Sequence, residues 1–261
     1  VSIISLQNEV AGSDLRARDE GSYAINSVVE VPKTLRKTHT LVISDVHLGS
    51  RVCQARRLLG ILGEWEFKRL VLLGDMFEDF NLGRLKKNHW QVLTEIRRLS
   101  KPGNGIDVVW IEGNHDRMVQ GVMSRMLGLR TYKRFKFRLG GRNFLAIHGD
   151  QFDYFLVDHP LATALASRMY LMVQRYGGQE QRISRALKKR SKKWMKSSML
   201  VAKRALEYGK EQGADIVLCG HTHQPMMRRM GGVTYYNSGC WTDIPSTYLT
   251  IDEHGVTLHE C

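Results

Sequence analysis

The sequence predicts an α/β fold with two β-sheets and one helical insertion, on three observations. From Thr40 onward, short apolar runs alternate with helix-length segments, the rhythm of βαβ units around a largely parallel sheet. Later in the chain, candidate strands follow one another with little helix between them, which predicts a second, more antiparallel sheet. A long stretch between "HGDQFD" and "DIVLCGH" lacks strand signals altogether.

Taken in order, residues 1–36 are polar and weakly patterned, with Gly12, Gly21 and Pro32 as breakers. They are expected to form a tail beside a domain spanning 37–261. The first units read "TLVISD" (strand), "CQARRLLGILGEWE" (helix), "RLVLLGD" (strand), "NHWQVLTEIRRLS" (helix) and "DVVWIEGN" (strand). Further strands are expected at "YKRFKFRLG", "RNFLAIHGD", "DIVLCGH", "VTYYNSG" and "TYLTIDEHG". The insertion, about 154–210, has apolar residues at helical spacings, among them Leu161, Leu165, Met169 and Met172, then Leu187, Trp194, Met195 and Met199. Amphipathic helices are expected there, their apolar stripe either packed on the domain or serving a ligand.

Charge is the unusual feature of the composition. The 261 residues carry a net +13, which favours anionic partners such as phosphorylated substrates, nucleic acid or an acidic membrane surface. Residues 168–210 hold 13 Lys and Arg against 2 acids, so +11 of that charge sits in the insertion. Cys53, Cys219, Cys240 and Cys261 form no C-x-x-C pair; neither a disulfide framework nor a zinc ribbon is suggested, and a reducing cytosol fits. No signal peptide is read at the N-terminus. The most apolar window, Tyr154 to Val173, is interrupted by Asp158, His159, Pro160 and Arg168, too polar for a membrane span.

Five strand-like runs end in poor strand formers that are good metal ligands. They deliver Asp45 and His47, then Asp75, then Asn114 with His115 and Asp116, then His148, then His221 and His223. Singly, each has a plain explanation as a turn residue or a core histidine. Jointly they gather carboxylates, an amide and imidazoles beyond the carboxyl ends of strands, where ligands bind in open α/β sheets. An oxygen and nitrogen set without thiolate suits Mn²⁺, Fe²⁺ or Zn²⁺. Asp150 is either an outer acceptor for a ligand histidine or a strand-end turn residue.

The blocks "DVH", "GDMF", "GNHD", "HGD" and "GHTH" resemble, in this order, those of the calcineurin-like metallophosphoesterases. The resemblance covers roughly 40–252 and implies a four-layer α/β/β/α metallophosphoesterase sandwich with two divalent metal ions, Mn²⁺ first among candidates. Carried over, Asp45, His47, Asp75 and His223 would hold one ion, and Asp75, Asn114, His148 and His221 the other. His115 would be the catalytic histidine and Asp116 its orienting partner. "ISDVHLGS", "HGDQFD", "GHTHQP" and "YYNSGCW", with the insertion's length, are closest to the UDP-2,3-diacylglucosamine diphosphatase family. That likeness implies a cytoplasmic enzyme, peripheral at the inner membrane face, that releases UMP from a lipid-linked nucleotide sugar in lipid A synthesis, with the insertion as its lid. The best-studied branch has Arg at the position of His115.

Two rival readings remain beside it. A nucleotide or nucleic-acid phosphodiesterase would use the basic insertion to track phosphates, although Trp194 is the sole aromatic from Ile183 to Leu206, sparse for base stacking. A non-catalytic scaffold would be expected to lack ligands, and every block is present.

Overall fold

The computed structural model describes residues 35–153 and 192–261. The expected tail, apart from its last two residues, and the insertion up to residue 191 lie outside the described residues.

Sheet 1 has six strands in the order β13-β12-β2-β4-β5-β6. Its centre is β2 (Thr40–Ile43), β4 (Arg69–Leu73), β5 (Asp107–Ile111) and β6 (Arg130–Tyr132), all parallel. β12 (Thr247–Ile251) joins β2 antiparallel, and β13 (Val256–Glu260) closes that edge as a hairpin. A parallel pair β1 (Arg36–Lys37) and β3 (Trp65–Glu66) stands apart. Sheet 2 has the order β10-β11-β9-β8-β7, with β7 (Phe135–Leu139), β8 (Arg142–Ala146), β9 (Ile216–Cys219), β10 (Met226–Met230) and β11 (Val233–Asn237).

Sheet 2 is mixed, with as many antiparallel as parallel pairs. The hairpins β7-β8 and β10-β11 are antiparallel, but β8-β9 and β9-β11 run parallel. The long connection from β8 to β9 is the reason: a parallel neighbour needs a crossover, and the insertion supplies one.

Alternation along the strands decides the layers. Leu41, Ile43, Leu70, Leu72 and Trp110 face a cluster with Leu58 and Leu62 of α1 (Ala55–Leu62) and Val92 and Ile96 of α2 (Lys87–Leu99). Met123 and Leu127 of α3 (Gln120–Leu127) join it. Val42, Val71, Leu73 and Val109 point the other way and meet Phe144, Ala146, Ile216 and Leu218 of sheet 2. On the far face of sheet 2, Leu145, Val217 and Tyr235 receive Ala202, Ala205 and Leu206 of α4 (Lys192–Glu211). Helices, sheet, sheet and helix therefore make the expected four-layer sandwich. Each buried Leu, Ile or Val contributes about 1.5–3 kcal/mol of burial free energy.

The last part of the expected insertion lies among the described residues and is helical, with its apolar stripe packed on the domain, one of the two uses expected of it. α4 lies within 154–210 over most of its length, yet its Val201, Ala202 and Ala205 are core residues. Residues 192–210 are a structural layer, because an apolar stripe at helical spacing has a sheet to cover. All four cysteines are free, with Cys219 and Cys240 buried. No described helix is long and apolar enough to cross a membrane.

Candidate metal centre

Five parallel strands deliver the site. β2, β4 and β5 from sheet 1, and β8 and β9 from sheet 2, end in register, as the pairs Leu73↔Ile111 and Ala146↔Leu218 show. Each is followed by one of the motif loops, so polar residues from both sheets meet beyond their carboxyl ends.

The backbone at those loops is strained in a specific pattern. Among the described residues, the non-glycine positions with positive φ are Asp45 and His47 (51°), Asp75 (51°), His221 (65°) and His223 (53°). All five are residues that the sequence singles out as ligands. A left-handed backbone is unfavourable for such residues and persists where surrounding structure enforces it, commonly at functional sites. Here the enforcement is visible: Asp45 N and His47 N donate to the carbonyls of Gly74 and Asp75 at 3.0 Å each, tying the first two loops together.

The side chains then converge in two groups. In the first, His223 Nε2 lies 3.2 Å from Asp45 Oδ1 and 3.1 Å from His47 Nε2. In the second, Asn114 Oδ1 lies 3.3 Å from His148 Nε2 and 3.2 Å from His221 Nδ1. Asp75 Oδ2 stands between the groups, 3.3 Å from His148 Nε2 and 4.0 Å from His47 Nε2. Asp45, His47 and Asp75 are nearly inaccessible to solvent. His47, Asp75 and His115 form a third set of donors close enough to share an ion.

These residues fit divalent metals on two grounds. Ligands bonded at about 2.1 Å with tetrahedral or octahedral angles stand roughly 3.0–3.4 Å apart, the spacing of both groups. His148 and His221 also hydrogen-bond outer partners through the far nitrogen, and His47 pairs there with a carboxylate. His148 Nδ1 donates to the Leu73 carbonyl at 2.9 Å, which leaves Nε2 facing Asp75. Glu78 Oε2 sits 3.0 Å from His47 Nδ1, and Asp153 Oδ2 sits 3.2 Å from His221 Nε2. Such partners orient ligating imidazoles and raise their basicity.

Electrostatics without the ions are correspondingly tense. Burial pulls the His47 pKa down, but the Glu78 carboxylate, followed by Asp75 and Asp45, pushes it up to about 9. Burial and then Asp75 act likewise on His148, whose pKa rises to about 10. Burial works to raise the Asp75 pKa, yet the neighbouring His148 and His115 hold it well below the usual carboxylate range. Buried carboxylates and imidazoles packed this closely stabilise one another only as charged pairs or around cations.

Glycines preceding three of the ligands make room for them. A Cβ on Gly113 would stand 2.3 Å from the backbone nitrogen and Oδ1 of Asp75. One on Gly220 would stand 2.4 Å from Asp45 Oδ2, and one on Gly74 would meet the His148 ring at 2.2 Å.

Asp116 is not where the sequence reading put it. Its Oδ1 accepts from Phe77 N and its Oδ2 from Trp110 Nε1, both at 3.1 Å. The His115 ring is held instead by the Glu78 carbonyl, 2.7 Å from Nδ1, and His115 N donates to Asp75 Oδ1 at 2.9 Å. Successive residues in the loop point in different directions, so Asp116 braces the loop after β4 while His115 faces the ligand groups. Burial first, and then the Asp75 charge, raise the Asp116 pKa to about 6. Asp150 is likewise a turn residue: it opens a 3-10 turn over Asp150–Phe152 and pairs with Arg117 at 2.7 Å.

The carboxylates that do reach site histidines, Glu78 and Asp153, were missed by the sequence reading. Their signal was proximity to the motifs, in "GDMFEDF" and "HGDQFD". Asn237, fully buried, donates to the Gly220 carbonyl and to Thr222 Oγ1, fixing the loop that carries His221 and His223. That contact gives "YYNSGCW" a physical role.

Solved structures similar to the chain include an archaeal phosphodiesterase, 14% identical over 85% of this chain and 99% of that one, TM-score 0.47. Others are YfcE, a phosphoesterase from E. coli, 18% identical over 82% and 87%, TM-score 0.43, and zinc-complexed Vps29 from Entamoeba histolytica, 16% identical over 85% and 90%, TM-score 0.43. No curated protein matches the chain. The family model described as "Calcineurin-like phosphoesterase superfamily domain" matches residues 39–255. With five strand-end loops gathering carboxylate, amide and imidazole donors within that match, the chain belongs to the calcineurin-like phosphoesterase superfamily of metal-dependent hydrolases.

Proposed function

We propose that this phosphoesterase cleaves the diphosphate of UDP-2,3-diacylglucosamine, or of a closely related lipid-linked nucleotide sugar, to UMP and a lipid phosphate. The observation that carries the two-metal part is Asp75, whose Oδ2 stands between two converging donor groups. In this reading Asp45, His47, Asp75 and His223 hold one ion and Asp75, Asn114, His148 and His221 the other. The thiolate-free donor set favours Mn²⁺, with Fe²⁺ or Zn²⁺ as alternatives.

When bound, two such ions neutralise phosphoryl oxygens and provide a nucleophile at neutral pH. The protein's own residues do the rest. A carbonyl can only accept, so the Glu78 contact puts a hydrogen on His115 Nδ1 and leaves Nε2 as the atom that carries a proton to the leaving oxygen. The reaction breaks one P–O bond of the diphosphate and forms one to the oxygen of water; the leaving oxygen takes the His115 proton, and the proton that the water gives up restores His115. Asp116 supports the loop rather than the proton.

The lipid substrate rests on the blocks "ISDVHLGS", "HGDQFD", "GHTHQP" and "YYNSGCW" and on the basic insertion. The chain would then work at the cytoplasmic face of a membrane. His115 favours a second reading, a nucleotide phosphodiester, because histidine at that position is common to the wider superfamily. Turnover of UDP-2,3-diacylglucosamine against bis(p-nitrophenyl) phosphate with Mn²⁺ separates the two. Metal-dependent UMP release that needs both acyl chains is expected, and diester cleavage without UMP release would reject the lipid substrate.

A further inference from the structure

We infer that the outer face of α3 is a docking surface for an acidic lipid bilayer. Met118, Val122 and Met126 are 76%, 60% and 61% exposed. Spaced four apart, they form one stripe on and just before the helix, while Met123 and Leu127 bury the opposite side. Exposed large apolar side chains are ordinary when scattered, but a continuous stripe marks an interaction site.

Charge selects the partner. From Arg117 to Arg134 the chain holds five Lys and Arg and no Asp or Glu. Arg117 is engaged by Asp150, and Arg134 by the Tyr208 hydroxyl. Arg125, Arg130 and Lys133 are exposed. The neighbouring α2 has a single acid, Glu95, which Arg98 already pairs. An apolar stripe edged by unopposed cations matches an anionic headgroup layer over acyl chains. A second exposed group, Met195 and Met199 on α4 with Met227 and Met230 on β10, lies on the sheet 2 side of the sandwich; there Glu207 pairs Lys203 and Arg228 is turned onto Met199 Sδ, while Lys196 and Arg229 stay exposed, so this group is the rival face that the test must separate.

Position gives the surface a use. Met118 follows His115 by three residues, and the Glu78 carbonyl that holds His115 lies two residues before Phe80, which is 61% exposed. A bilayer on α3 therefore lies beside the metal centre, as a lipid-linked substrate requires. That use rests on the proposed function, whereas the docking does not.

The test is sedimentation of the full chain with phosphatidylcholine vesicles, with and without phosphatidylglycerol. Binding is expected only with phosphatidylglycerol and should weaken as salt rises. Val122→Gln combined with Met126→Gln should lower affinity about tenfold or more. Arg125→Gln with Arg130→Gln should lower it as well and flatten the salt dependence. Met227→Gln with Met230→Gln should change nothing, and bis(p-nitrophenyl) phosphate hydrolysis should be preserved throughout. That hydrolysis reads the metal centre separately, so loss of docking and failure of the two-metal reading are distinguishable. Absence of phosphatidylglycerol-dependent binding, retention of it in both α3 variants, or its loss in the β10 variant instead would overturn the proposal. So would a dimer that Val122→Gln with Met126→Gln dissolves while no vesicle is bound, which would assign the face to a second copy.

Discussion

The Nε2 atoms of the buried His47 and the half-buried His223 face each other 3.1 Å apart. Two imidazole nitrogens at that distance either share one hydrogen or share one cation, and Asp45 Oδ1 at 3.2 Å from His223 favours the cation. His223→Ala is expected to remove one ion per chain and leave the Asn114, His148 and His221 group able to bind. Metal content by mass spectrometry checks this, and a variant retaining full content would reject the grouping.

Metal binding should release protons. Without ions, His47 and His148 have pKa values pushed up to about 9 and about 10, so both are charged at neutral pH and must lose a proton to become ligands. Affinity should therefore rise with pH up to about 9–10. In the metal-free protein the sign reverses: stability from these raised pKa values is fully present below about 6.5, the unfolded value, and is lost as pH rises through 9 to 10. Calorimetric titration with Mn²⁺ in buffers of different ionisation enthalpy checks the proton release.

Glu78→Ala should weaken the site that contains His47 by about 10–100-fold in metal affinity, the usual cost of losing an outer carboxylate. Asp153→Ala should do the same through His221. Each variant is expected to spare the other site. Competition titrations against a chromogenic chelator measure both, and equal weakening of both sites by either substitution would show that the carboxylates do not act separately.

Gly113→Ala should fail by collision. Its Cβ would stand 2.3 Å from the Asp75 backbone nitrogen, and backbone cannot move aside without shifting the loop after β4. A loss of about 1–3 kcal/mol of stability is expected, with loss of metal content. A melting temperature and metal content like those of the unaltered chain would contradict the packing.

Much of the site was legible because ligands that follow apolar strands interrupt the hydrophobic pattern, as Asp75 does after "LVLL". What the pattern could not convey was side-chain direction within the loops. Asp116 adjoins His115 in sequence yet bonds Phe77 and Trp110. Asp153 rather than Asp150 reaches a histidine, because the 3-10 turn over Asp150–Phe152 carries the chain back toward His221. In the fold, α3 was missed since it is only two turns long and Gly121 in its first turn weakens the signal. β10 was missed because "MMRRM" has little strand preference and is exposed; only pairing with β11 makes it a strand. An apolar stripe for a sheet and one for a ligand read alike, so the sequence alone did not separate the two uses expected of the insertion.

The most direct test of the account is the number of ions that activity requires. Metal-free protein titrated with Mn²⁺, with content and bis(p-nitrophenyl) phosphate hydrolysis followed together, should reach full activity at two ions per chain, and Asp75→Ala should abolish activity and bind fewer. Full activity with a single ion, or turnover and metal content in Asp75→Ala like those of the unaltered chain, would contradict a centre built around Asp75.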